Sequence, residues 1–142
     1  MPYATEQDMV DRFGEREMVA LTDRDNVGMV DATVLSKALL AADSEINPYL
    51  ANRYALPLTS VPSSVRDFSC DIARYRLCGA EVTETDEVRI RYKDAIKFFE
   101  KVAAGKISLG LDDLNNQAAS SQSIMSQSNA RVFSKTTLGD YA

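Results

Sequence analysis

The sequence predicts a mainly α protein: a small helical bundle of about four helices, a short β-prone segment and an extended C-terminal arm. Three observations lead there. Apolar residues recur at helical spacing in three separate stretches. Each stretch is bracketed by capping or helix-breaking residues. From Asp112 onward the periodicity gives way to serine, glutamine and asparagine. The domain division follows from the same change: a helical body over residues 1–111 and a flexible arm over 112–142.

Thr5, followed by Glu6-Gln7-Asp8, has the form of an N-cap with acidic first-turn residues, which predicts a short helix to about Phe13. Gly14 can break it, with Glu15–Leu21 adding a further turn or two. Thr22–Val30 is polar and reads as a loop. Asp31 then caps a long helix whose apolar positions are Leu35, Ala38, Leu39, Ala42, Ile46, Tyr49 and Leu50. Pro48 removes a backbone donor inside it, so a kink near Ser44–Glu45 or a restart is expected.

Ala55–Ser60 is extended in character, and Pro62 suits the first turn of the next helix, which runs to about Gly79. That helix is apolar along Val65, Phe68, Ile72 and Tyr75 and again along Cys70, Ala73 and Leu77. Two apolar faces place it centrally, or against a neighbouring subunit. After the linker Ala80–Glu84, Thr83 or Thr85 should cap the last helix, whose buried stripe is Val88, Tyr92, Ala95, Ile96, Phe99, Val102 and Ala103. Gly105 ends it. Lys106–Leu111 alternates apolar with polar or small residues, as a short strand does. The core expected from these patterns centres on Leu39, Ile46, Tyr49, Leu50, Phe68, Ile72, Tyr92 and Phe99.

Residues 115–129 hold five serines, three glutamines and three asparagines. Such a segment cannot bury enough surface to offset its ordering entropy, so flexibility is expected there. Order signals return at Arg131, Val132, Phe133, Lys135 and Leu138, a β-prone run with one aromatic anchor. A binding segment on a tether is one reading, with these five as partner-binding residues; terminal disorder is the other.

Several function classes lose their basis in the composition. The 142 residues have room for one core. No apolar run is long enough to span a bilayer, and MPYATEQD lacks the n- and h-regions of a signal peptide, so a cytoplasmic start is expected. The net charge of −5 is concentrated in residues 1–31, where eight acids face three arginines. A protein that neutralises phosphates would be basic instead. Histidine is absent, removing the commonest general base and metal ligand. Cys70 and Cys78, about 12 Å apart along one helix, are too distant for a disulfide and lack zinc spacing; both read as small buried hydrophobes.

Asp23-Arg24-Asp25-Asn26-Val27-Gly28 opens like a calcium loop, but Val27 and Val34 stand where oxygen ligands are needed. No nucleophile elbow or phosphate loop occurs. Asp112-Asp113 and Glu81/Glu84 read as solvated carboxylates. Arg66, Arg74 and Arg76 on the helix after Pro62 are interrupted by Asp67 and Asp71, unlike a DNA-recognition helix. No catalytic, metal or cofactor site is expected, and the protein is read as a non-enzyme. Arg89, Lys93, Lys97 and Lys101 recur every four residues. They form either an inter-subunit strip for an acidic surface, such as the first 31 residues of a neighbouring copy, or a solvated face.

The order Tyr49-Leu50, Arg53-Tyr54, Leu56-Pro57-Leu58, Val61-Pro62 and Ile72-Ala73-Arg74-Tyr75 resembles the small head–tail adaptor (connector) proteins of tailed bacteriophages, in particular the Mu-like prophage branch. Arg131, Val132, Phe133 and Leu138 resemble the ending of that branch. The resemblance implies a structural virion protein at the head–tail junction, present in the host cytoplasm before assembly. It implies a ring, a dodecamer in the virion, that binds the portal protein above and a tail or head-completion protein below. DNA would pass through the ring without specific binding. A prophage-encoded regulatory or host-interaction protein without enzymatic activity is the alternative.

Overall fold

The computed structural model describes residues 2–79 and 86–114, which form five helices. They are α1 (Glu6–Phe13), α2 (Glu15–Thr22), α3 (Ala32–Ala51), α4 (Ser63–Cys78) and α5 (Glu87–Ala103). The fold is mainly α, as the periodicities predict. The count rises to five because Gly14, at φ 90°, separates α1 from α2.

Local signals account for most helix boundaries. Thr5 and Asp8 form a reciprocal capping box at α1. The Asp31 carboxylate accepts from the backbone N–H groups of Thr33 and Val34 at the start of α3. Pro62 is the N-cap of α4, and Gly79, at φ 64°, ends that helix. Asp86 is the N-cap of α5. Thr83, Thr85 and the linker Ala80–Glu84 lie outside the described residues, as does the tail from position 115.

Pro48 does not restart α3, which is continuous from Ala32 to Ala51. Both Pro48 and Ser44, whose carbonyl loses its partner, are exposed, so water can satisfy that oxygen. The strand expected at Lys106–Leu111 is also absent. Ile107, Leu109 and Leu111 are half-buried against the core, so the alternation reflects one-sided burial. Among the described residues there is only an isolated antiparallel bridge between Tyr54 and Asp113.

The helices stack in three layers. α3 and α4 pack on each other and each also touches α1, α2 and α5, whereas α5 touches neither α1 nor α2. The two-faced pattern of α4 is thereby used within one chain. Leu39, Ile46, Leu50, Ile72 and Phe99 are buried as expected, but Tyr49, Phe68 and Tyr92 are half-buried at the seams. Phe68 stacks on Phe98 at 4.5 Å and meets Phe99 edge-on at 6.2 Å. Tyr3, Ala4, Met9 and Met18, at the N-terminal side, complete the core. Cys70 is buried and Cys78 half-buried, and both are free thiols. Burial pushes Cys70 up to about 12, which leaves it an inert thiol.

Candidate functional site

Two groups of polar contacts fix where segments leave the bundle, and others join its helices. Arg53 and Tyr54 follow the end of α3 and hold residues 104–114 against it. The Arg53 guanidinium donates to the carbonyls of Val102 and Ile107, both at 3.1 Å, and pairs with the Asp113 carboxylate. The Leu114 N–H donates to the Arg53 carbonyl at 2.7 Å. The Leu109 N–H donates to the Tyr54 hydroxyl at 3.0 Å, and Tyr54 is itself buried. A lysine could reach one of these acceptors but could not bridge three.

Asp113 therefore corrects the reading of Asp112-Asp113 as a solvated pair, since only 6% of it is exposed. Sequence alone pairs it with nothing, because its partner lies 60 residues away. Arg53-Tyr54 stood out by resemblance only; the contacts supply the physical reason.

A second polar knot joins the middle layer to α5. Glu45 accepts from Arg76 at 2.6 Å and from the Tyr92 hydroxyl, and the Tyr92 ring stacks on Tyr75 at 4.1 Å. Burial, helped by the Glu45 carboxylate, pushes Tyr92 up to about 12, so the phenol remains a donor. On the opposite side, Arg12 pairs with Asp71 at 3.0 Å, and Arg74 with Glu17 at 2.6 Å. Arg74 also lies 4.6 Å above the Phe13 ring. Burial raises Asp71 despite Arg12. Arg74 and Arg76 are thus each paired with a carboxylate of this chain, Arg74 half-buried and Arg76 exposed.

The N-terminus is pinned to α3. The Asp43 carboxylate accepts from the Tyr3 N–H at 3.1 Å, and the Tyr3 hydroxyl bonds Asn47. Burial raises the Asp43 carboxyl. In the loop 23–31, Asp23 accepts from the N–H groups of Val27 and Gly28 at 2.9 and 2.6 Å. That contact explains the calcium-loop-like spacing as a backbone turn.

A cleft of about 560 Å³ runs along the 56–61 connection, with Tyr3, Asn47 and Arg66 among its walls. A neighbouring cleft of about 190 Å³ shares Pro57, Leu58 and Thr59 and reaches Leu114. Among the described residues no group of three or more His, Cys, Asp or Glu could hold a metal ion. None of the described helices is long and apolar enough to cross a membrane. Of the four residues read as an inter-subunit strip, Lys93, Lys97 and Lys101 are exposed on α5 and Arg89 is half-buried. Arg131, Val132, Phe133, Lys135 and Leu138 lie outside the described residues.

Comparison with known proteins decides the family. The family described as Bacteriophage Mu, Gp36 matches residues 3–128. The chain belongs to the phage Mu Gp36 family. Two Gp36 relatives match nearly end to end. The Mu-like prophage FluMu protein gp36 of Haemophilus influenzae is 34% identical, over 95% of this chain and 94% of its own length. Gene product J of Escherichia phage Mu is 31% identical, over 98% and 99% respectively. This Gp36-family chain is thus a protein of Mu-like phages, and the family match spans both the body with its Arg53 latch and part of the sequence beyond Leu114.

Proposed function

We propose that this chain is a structural, non-enzymatic virion protein: a head–tail adaptor that forms a ring below the portal, extends the DNA channel and docks the tail. Membership of a Mu-like phage family supports a phage role. The observation that carries the finer reading is the latch formed by Arg53, Tyr54 and Asp113. It fixes the point from which a further 28 residues continue beyond Leu114. A body whose polar contacts secure the departure of a polar tether suits a protein that holds partners together. The polar side chains along the 560 Å³ cleft, Tyr3, Asn47, Thr59, Ser60 and Arg66, pair no nucleophile with a base.

In this reading Arg131–Leu138 adds to the portal or a neighbouring subunit, with Phe133 as anchor and the tether raising local concentration. Deleting residues 131–142 should leave the thermal midpoint unchanged and stop the protein attaching to portal-bearing capsids. Normal assembly of infectious particles with the truncated protein would reject the arm. About twelve copies per virion are expected for a closed ring matched to a portal; one or two copies would reject the adaptor ring.

A further inference from the structure

We infer that this chain docks head to tail on a second copy of itself, through an N-terminal face around Leu40 and Glu6 and an α5 face around Ile90, Lys93 and Lys97. The inference rests on the assembly reading above and names the surfaces it would use.

The two faces lie on opposite sides of the molecule. Tyr49 stacks against Phe99 of α5. Leu40 is nine residues earlier on the same helix, which at 3.6 residues per turn puts it half a revolution away. Leu40 is 59% exposed and, with Leu39, Pro2 and Ala4, walls an apolar groove of about 310 Å³ that has Glu6 at its rim. On the far side Ile90 is 49% exposed. Lys93 and Lys97 follow it at helical spacing on the same face, with Lys101 one turn on. Each face therefore has an exposed apolar residue with charge beside it, Glu6 by Leu40 and the lysines by Ile90, the layout of an interface centre and its rim.

The charges are complementary. Lys93, Lys97 and Lys101 have no ion pair among the described residues, and Lys97, Lys101 and Lys106 border a shallow depression with Glu100. Among the described residues, Glu6, Asp11 and Glu15 are exposed on α1 and α2 without an ion pair, beside Arg16. The remaining α1–α2 arginine, Arg12, is held by Asp71. Because the complementary faces are opposed, one contact leaves both outer faces available, so the association repeats and either closes into a ring or continues.

The test uses full-length protein, half of it labelled with ¹⁵N, concentrated at low salt and treated with a zero-length carbodiimide. Mixed-isotope links should join Lys93, Lys97 or Lys101 to Glu6, Asp11 or Glu15, and should fall about tenfold in about 0.5 M salt. They should vanish in K93E/K97E/K101E and return, with acid and amine exchanged, when that variant is mixed with E6K/D11K/E15K. Leu40→Asp, checked for native helicity, should also abolish them. Absence of such links in the wild type, or their persistence in either reversed variant alone or in Leu40→Asp, overturns this interface. Copy number per virion decides the ring separately, so a twelve-copy ring without these links would reject the surfaces and leave the adaptor reading standing.

Discussion

Arg53 and Asp113 stand 60 residues apart in sequence and form an ion pair beneath the end of α3, with 12% and 5% of their side chains exposed. The same guanidinium reaches the carbonyl of Val102, in the last turn of α5, and that of Ile107 beyond it. A charge so placed is satisfied from three directions, and loss of the guanidinium removes the cationic partner of a buried carboxylate and the donor to two carbonyls.

Arg53→Ala should therefore cost about 3–5 kcal/mol, with Arg53→Lys intermediate, because an ammonium cannot reproduce the fork. Denaturant unfolding would measure it. Proteolysis between residues 104 and 114 should rise in parallel. An Arg53→Ala variant as stable and as protease-resistant as wild type would mean that the latch is not closed in solution.

At the α4–α5 seam, Phe99→Ala should cost about 3–5 kcal/mol, since the ring is fully buried between Tyr49, Phe68 and Phe98. Phe68→Ala should cost about half as much, because its ring is only half-buried. Equal midpoints for the two variants would contradict the placement of these rings.

The pH dependence has a defined sign. Asp43 and Asp71 have carboxyls raised above the ordinary 3.8, so their contribution is complete below that value and is lost as pH rises through their folded pKa values. Asp8 and Asp23 are lowered, chiefly by hydrogen bonds from backbone N–H groups. Their contribution is present above 3.8 and is lost as pH falls through their folded values. The thermal midpoint should hold or rise on acidification from neutrality toward about pH 4, then drop. Asp43→Asn keeps an acceptor for Tyr3 and should flatten the upper limb; a wild-type profile in this variant would remove Asp43 from the account.

Duplex DNA should show no strong salt-dependent binding to the isolated protein at physiological ionic strength, because the acidic N-terminal region outweighs the lysine face and Arg74 and Arg76 are paired internally. Fluorescence anisotropy across a salt series would measure this. Tight binding with a steep salt slope would restore a nucleic-acid role.

Helix existence was legible in the sequence because it rests on local signals: Asp31 and Thr5 as caps, Gly14 and Gly79 as breaks, and an unbroken stripe from Leu35 to Leu50. The lysine positions on α5 were legible for the same reason. Buried polar groups were not. Asp113 reads as solvated in sequence, and no local signal marks Asp43 or Asp71 for burial; each is buried with a partner from a distant segment, Arg53, Tyr3 and Arg12 respectively. The alternation at Lys106–Leu111 gave the right buried face and the wrong element, since period two reports sidedness and not the presence of a pairing strand. Pro48 shows the converse: its effect depends on whether the deprived carbonyl faces water, which periodicity does not encode.

The latch also sets a route for mechanical load. A pull on the chain beyond Leu114 reaches the Arg53 carbonyl and guanidinium before it can be felt along α4 or α5. Residues 54–112 then form a closed bight that carries no tension while the tie holds. The force passes into the C-terminal end of α3, the helix to which the N-terminus is also pinned through Asp43 and Asn47. Under stretching from both ends, wild-type protein should release that 59-residue bight in one late step, and Arg53→Ala should release it early at low force.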